Sequence, residues 1–194
     1  LFNFLFVDTL IDPPVSDLTS LKGLYHITFY FRNYAGRLTS AKRMLYNIEG
    51  GKMKRVKTNH PLFLHQRDSG YYPCLFNERD LFLFPDARVI LVESEKTAGI
   101  LRLKFHAHLA EFIYLATGGA NGLTDEKISV LKGREVYVCY DCDQGEPDGS
   151  KPKGREAAVN AVTKLSAICT VKNFDIDPTL NDGTDLADLP NLDF

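Results

Sequence analysis

The sequence predicts an α/β protein: a parallel sheet of about four strands with helices on both faces, preceded by a small β-rich subdomain. Three observations carry that prediction. After Pro85, short apolar runs alternate with helical patterns as β-α-β-α-β-α-β, the order of parallel strands joined by crossover helices. The run Arg88 to Glu93 (RVILVE) is almost continuously apolar, as a strand buried on both faces requires. Before Pro85, apolar and polar residues instead alternate with period two. The expected division is therefore residues 1–85 and 86–194.

In Tyr25 to Arg32 (YHITFYFR), the alternation places Tyr25, Ile27, Phe29 and Phe31 on one face and His26, Thr28, Tyr30 and Arg32 on the other. Asn33 to Gly36 reads as a turn. Arg43 to Ile48 and Met53 to Lys57 read as strands of a hairpin turning through Glu49-Gly50-Gly51. His60 to Pro73 reads as loop, and Asn77 to Leu83 as a short helix. In the second part, strands are expected at Arg88 to Glu93, Phe112 to Ala116, Glu135 to Tyr140 and Cys169 to Phe174. Helices are expected at about Ser94 to His108, Thr124 to Leu131 and Gly154 to Ala167, the last with Ala158, Val162 and Leu165 on one face. The apolar opening Leu1 to Val7 has neither a basic n-region nor a cleavage site and reads as a strand. The absence of an initiator Met is compatible with a piece of a longer protein.

Composition narrows the function classes. The 194 residues are 44% hydrophobic and 25% charged, ordinary for a globular protein. No apolar run approaches the ~20 residues that span a bilayer, which excludes a membrane helix. The four cysteines are too scattered for a disulfide framework, so a reducing, cytoplasmic setting is expected. Cys139 and Cys142 form a C-x-x-C, but no second ligand pair stands at zinc spacing, and two cysteines ending a buried strand is the expected reading. The net charge of −2 hides an asymmetry. Nine basic residues, among them Arg43, Lys54 and Arg55, fall between Lys22 and Lys57 against one acid, Glu49. From Thr170 onward there are six aspartates and one lysine. That stretch of cations reads either as a surface for a polyanion or as a solvated hairpin.

The chemistry gathers at the carboxyl ends of the parallel strands, where open sheets bind ligands. The first strand ends in Glu93 and the third in Asp141-Cys142-Asp143. Residues i and i+2 of an extended segment project to one side, so three carboxylates meet at one edge. Clustered carboxylates repel one another unless a cation sits among them, and hard oxygen donors suit Mg²⁺ or Mn²⁺. The glycine-rich turn Thr117 to Gly122 follows the second strand. Its Gly118, Gly119 and Asn121 either offer backbone N–H groups to a phosphate or simply make a tight connection. His106 and His108 form an H-x-H at a helix end, where i and i+2 do not share a face; two surface histidines are expected. The aromatics among the cations of Tyr25 to Tyr34 read either as a stacking platform for bases or as core and sheet surface.

These residues resemble a known family. V-E-S-E-K-T-A (Val92 to Ala98) is similar to the V-E-G-x-x-D-A stretch of TOPRIM domains, and Y-D-C-D-Q (Tyr140 to Gln144) to their D-x-D motif. K-G-R-E-A-A (Lys153 to Ala158) resembles the helix start that follows in bacterial DnaG-type primases. N-D-G-T-D-L-A-D-L (Asn181 to Leu189) resembles their late acidic segment. The region Tyr25 to Leu83 looks like the one preceding TOPRIM in primase-like proteins of mobile elements. The resemblance implies a TOPRIM, Rossmann-like fold with Glu93 as catalytic glutamate and Asp141 and Asp143 as the metal pair. Asp185, with Asp182 nearby, would hold a second metal. Lys96 and Arg155, each near a helix start, would meet phosphates or stand as plain surface charges.

Three departures stand against the family pattern. Ser94 replaces the usual Gly, Thr97 an Asp found in many members, and a polar insert, Gly145 to Lys153, separates D-x-D from its helix. The leading expectation is a Mg²⁺-dependent, primase-like nucleotidyltransferase acting on nucleotides and a single-stranded DNA template, with a helicase or other replication protein as partner. The alternatives are a TOPRIM nuclease that activates water against a phosphodiester, and a catalytically weakened nucleic-acid-binding accessory protein. Glycine-arginine after D-x-D and the late D-G-x-D favour the first.

Overall fold

The computed structural model describes residues 24–49, 52–56, 61–63, 73–141, 153–174 and 184–189. The expected strand at Leu1 to Val7, the Gly50-Gly51 turn, Cys142, Asp143, Asp182 and all but the last residue of the Gly145 to Lys153 insert lie outside them. The described residues form two compact units. Residues 24–31, 38–49, 52–56 and 61–63 make one; residues 32–37 and those from 73 onward make the other.

The first unit is a sheet in which β2 (Leu38–Glu49) is central, with β1 (Leu24–Arg32) on one edge. On its other edge lie β3 (Lys52–Arg55) and β4 (Leu62–Phe63), both antiparallel. Of the face read from the period-two pattern of β1, Ile27, Phe29 and Phe31 are buried while Tyr25 is exposed, and Phe29 meets Tyr46 of β2 edge-on at 6.3 Å. Strand β4 falls inside the stretch expected to be loop. Because β3 covers only Tyr46 to Glu49, the rest of that β2 edge is open, and Leu62 and Phe63 take Arg43 and Lys42 as partners.

The second unit is the α/β part. Its parallel strands are β5 (Arg88–Val92), β6 (Phe112–Ala116), β7 (Glu135–Val138) and β8 (Thr170–Asn173), in the order β6-β5-β7-β8. Its helices are α1 (Asp80–Leu83), α2 (Glu95–Lys104), α3 (Asp125–Ser129) and α4 (Lys153–Leu165). Val89, Leu91, Ile113, Leu115, Val136 and Val138 share one core with Ile128 of α3 and Ala157, Ala161 and Leu165 of α4. The intervening Ile90, Val92 and Tyr114 point to the opposite face, where α2 packs on β5 and β6 and Phe105 stacks on Tyr114. Each fully buried Leu, Ile or Val contributes roughly 1.5–3 kcal/mol, so β5, sealed on both faces, anchors the sheet.

Two connections fix the edges of this unit. Phe76 pairs with Ala116 as a lone antiparallel bridge, and Asn77, at a φ of 61°, donates its side-chain amide to the Tyr114 carbonyl at 3.0 Å. Arg134 donates to the carbonyls of Leu81 (2.8 Å) and Phe84 (3.3 Å), closing the carboxyl end of α1. Helix α2 stops at Lys104, short of the expected His108, and His106–His108 is a separate 3-10 turn. No helix among the described residues is long and apolar enough to cross a membrane.

Candidate active site

The strand order locates a crevice. From β5 the chain crosses to β6 on one side, then passes back to β7 on the other, so the winding reverses between β5 and β7. Ligands of open parallel sheets bind beyond the strand ends at such a point. Glu93 follows β5 directly, and Asp141 follows the Cys139-Tyr140 extension of β7. The pairing of Leu91 with Val138 continues as Cys139 N–H donates to the Leu91 carbonyl at 2.9 Å, so the two segments leave the sheet side by side. The Tyr140 phenol records this closeness. Burial pushes its pKa up to about 12, the Thr117 hydroxyl opposes the rise, and the negative charge of Glu93 adds to it.

The loop after β6 is built against this edge from two sides. The Glu93 carbonyl accepts the N–H groups of Gly118 and Gly119, both at 3.0 Å, while the Thr117 hydroxyl donates within the loop to the Gly119 carbonyl at 3.0 Å. Those glycines hold φ values of +90° and +138°, which side chains disfavour. Their amides, read in the sequence as phosphate donors, are thus directed to the strand end; Asn121 stays exposed. From the other side, the buried Lys127 ammonium on α3 donates to the Thr117 carbonyl at 2.7 Å and the Gly122 carbonyl at 2.9 Å. A side chain at Gly122 would collide with the Thr117 carbonyl. Glu95 is also buried here, its Oε1 within 3.3 Å of where a Cβ on Gly118 would stand.

The start of α2 holds a second acid. Ser94 caps the helix by accepting the Thr97 N–H at 3.1 Å, and its Oγ lies 2.8 Å from Thr97 Oγ1. Thr97 in turn donates to Asp185 Oδ2 at 2.7 Å, and Lys96 Nζ lies 2.8 Å from the same oxygen. Asp185 Oδ1 accepts the Ala187 N–H at 3.0 Å, capping the 3-10 turn Leu186–Asp188. Asp185, expected to hold a second metal, therefore has both oxygens engaged by donors of the chain. Lys96, expected to meet a phosphate, is the counter-ion of that acid. Ser94 and Thr97 thus build this chain of hydrogen bonds.

The remaining sequence candidates separate. Arg155 is exposed in the first turn of α4. In the other unit, Lys54 stands opposite Asn47 and Arg55 opposite Tyr46, so the two point to different faces of the sheet. Arg43 shares the Lys54 face and donates to the Thr28 hydroxyl at 3.3 Å. Arg55 is on the face of the core residue Tyr46. His106 and His108 do not converge: the first contacts the Leu103 carbonyl at 3.1 Å and the second Glu111 at 3.7 Å. Cys139 is buried, its thiol pushed up to about 12, and Cys142 lies outside the described residues.

The donor chemistry at the edge suits a hard cation. Glu93 and Asp141 offer carboxylate oxygens and nothing softer. Among the described residues no three of His, Cys, Asp and Glu converge; Asp143, the expected third ligand, lies outside them. Sequence reasoning passed over Glu95, Lys127 and Tyr140. A second acid two residues after Glu93 and a tyrosine next to Asp141 were visible signals. Lys127 gave none, since its partners lie in a loop whose path only the fold sets.

A family model described as a domain of unknown function (DUF6371) matches residues 18–142. The match takes in Glu93, the Thr117 to Gly122 loop and Asp141, and ends before α4 and Asp185. No curated protein matches the chain.

Proposed function

The chain belongs to the DUF6371 family, and from the acids at its strand ends we propose that it is a Mg²⁺- or Mn²⁺-dependent enzyme of nucleic acid, a primase-like nucleotidyltransferase of TOPRIM type. One observation carries the reading: Glu93 and Asp141 follow neighbouring parallel strands at the reversal of winding. Glu93 and Asp141, with Asp143, are the residues that would hold the ion. A divalent ion there supplies charge neutralisation at a phosphoryl oxygen.

The chain's own groups do the positioning. The Gly118 and Gly119 amides on the Glu93 carbonyl fix the backbone that carries its carboxylate, and Lys127 stiffens the loop supplying them. Half-buried beside Tyr140, Glu93 can take a proton from an attacking hydroxyl or hold the ion. Single-stranded DNA as template and nucleotides as substrates follow from this reading, as does a replication partner such as a helicase.

One observation favours a second reading. With Asp185 paired to Lys96 and Thr97, the acid available for a second ion is already engaged, which fits a weakened, strand-binding domain. Single-stranded DNA with labelled nucleotides and Mg²⁺ or Mn²⁺ separates the two. Short products from the wild type, absent from Asp141→Ala, support the transferase. Metal-dependent cutting of labelled strands without nucleotides would replace it with a nuclease. Equal strand binding with neither activity would leave the accessory role.

A further inference from the structure

On the α3/α4 face of the sheet, two open hollows of about 460 and 410 Å³ share Lys164 as a wall residue. Both volumes fall within the roughly 300–1,000 Å³ of small-molecule sites. We propose that this groove is a nucleotide-binding site separate from the carboxylate edge, with the base in the first cavity and the phosphates toward the second. The proposal goes beyond the catalytic reading and does not depend on it.

The first cavity has the chemistry of a base seat. Ala157 and Ala161, one turn apart on α4, leave a shallow apolar floor, and Leu123 closes it from the loop after β6. A flat ring fits such a floor where a bulkier helix face would exclude it. Asn121 and Asn160 supply two carboxamides, each able to donate and accept, which is what the edge of a purine or pyrimidine asks for. The second hollow has Ile128 and Ile168 in its wall and carries Lys132 and Lys164 against one acid, Asp125. Lys164 is held toward the groove by donating to the Leu123 carbonyl at 3.2 Å. Base-edge groups at one end and paired lysines at the other match one nucleotide unit lying along the helix.

This orientation carries the phosphates away from Asp141. A ligand here would not be the reacting one. It would touch Tyr140, which lines the first cavity and stands next to Asp141, so occupancy and the catalytic edge share a wall. The same chemistry comes either from a free nucleotide or from one unit of a bound strand.

Calorimetric titration of the full chain in EDTA tests this, using ATP, adenosine, tripolyphosphate and a short single-stranded oligoadenylate. Asn160→Phe fills the first cavity and Lys132→Glu reverses a charge in the second; both positions are exposed, and circular dichroism checks the fold. Saturable ATP binding is expected, weakened at least about tenfold by Asn160→Phe. Lys132→Glu should weaken ATP by about threefold or more while leaving adenosine unchanged. Displacement of ATP by the oligomer identifies the strand as the source, and failure to displace it identifies the free nucleotide. Glu93→Gln and Asp141→Asn should bind ATP as the wild type does, whatever they do to catalysis. No ATP binding, indifference to Asn160→Phe, indifference to Lys132→Glu, or tripolyphosphate competing as well as ATP would overturn the proposal.

Discussion

Asp185 Oδ2 accepts from both Lys96 Nζ, at 2.8 Å, and Thr97 Oγ1, at 2.7 Å, which ties residue 185 to the first turn of α2 across a span of 88 residues. The acid is 3% exposed, so those donors replace the water its oxygens would otherwise bind. Removing it strands a lysine and a hydroxyl beside a helix start. Asp185→Ala is expected to lower unfolding free energy by about 2–3 kcal/mol, discounted from the fully buried case because Lys96 keeps some contact with water. Lys96→Ala should leave Asp185 still bonded to Thr97 and Ala187, and should cost less than Asp185→Ala. Urea titration of the two variants reads the order; the reverse order would contradict this role.

The loop of Thr117 to Gly122 depends on one ammonium. Lys127→Met keeps the length of the side chain but removes both hydrogen bonds to the Thr117 and Gly122 carbonyls. A loss of about 2–4 kcal/mol is expected from two buried acceptors left without their donor. Because the same loop donates to the Glu93 carbonyl, activity should fall further than stability explains, measured at a temperature where the variant is folded.

Glu78 makes an opposite pH signature to the usual carboxylate. Burial raises its pKa above the ordinary 4.5, while N–H groups of Leu75 and Tyr34 and the charge of Lys127 pull it back. A raised folded-state pKa means that the native state binds the proton more tightly than the unfolded chain does. The penalty of ionising Glu78 is therefore present above the folded pKa and disappears as pH falls toward 4.5. Glu78→Gln should flatten the stability-versus-pH curve in that window relative to wild type. An unchanged curve would contradict the shift.

Cys139 should be inert. A thiol pushed up to about 12 by burial carries almost no thiolate near pH 8, and the thiolate is the reactive form. In a Cys142→Ser background, a thiol reagent should modify Cys139 only at the rate of unfolding. Rapid labelling of Cys139 itself in the native state would contradict its burial.

Much of the second unit was legible because its strands are buried on both faces and announce themselves as apolar runs. Phe112 to Ala116 is the clearest case, with the expected and observed strands coinciding. Glycine at 118 and 119 likewise signalled positive φ. What could not be read depended on partners far apart in the chain. Leu62 and Phe63 became a strand only because β3 leaves part of β2 uncovered. The Glu93 carbonyl takes the Gly118 and Gly119 amides, and Lys96 and Thr97 meet Asp185, pairings that no spacing in the sequence announces. Motif spacing identified the acids at the edge; the fold decided which of them were already engaged.

The proposed role of Glu93 and Asp141 is to hold a divalent ion jointly. Mn²⁺ binding followed by electron paramagnetic resonance, on wild type, Glu93→Gln and Asp141→Asn, tests it without requiring turnover. A saturable wild-type site is expected, weakened at least about tenfold in each variant, because each removes one anionic oxygen donor. Wild-type binding that survives both substitutions, or no binding at all, would contradict it.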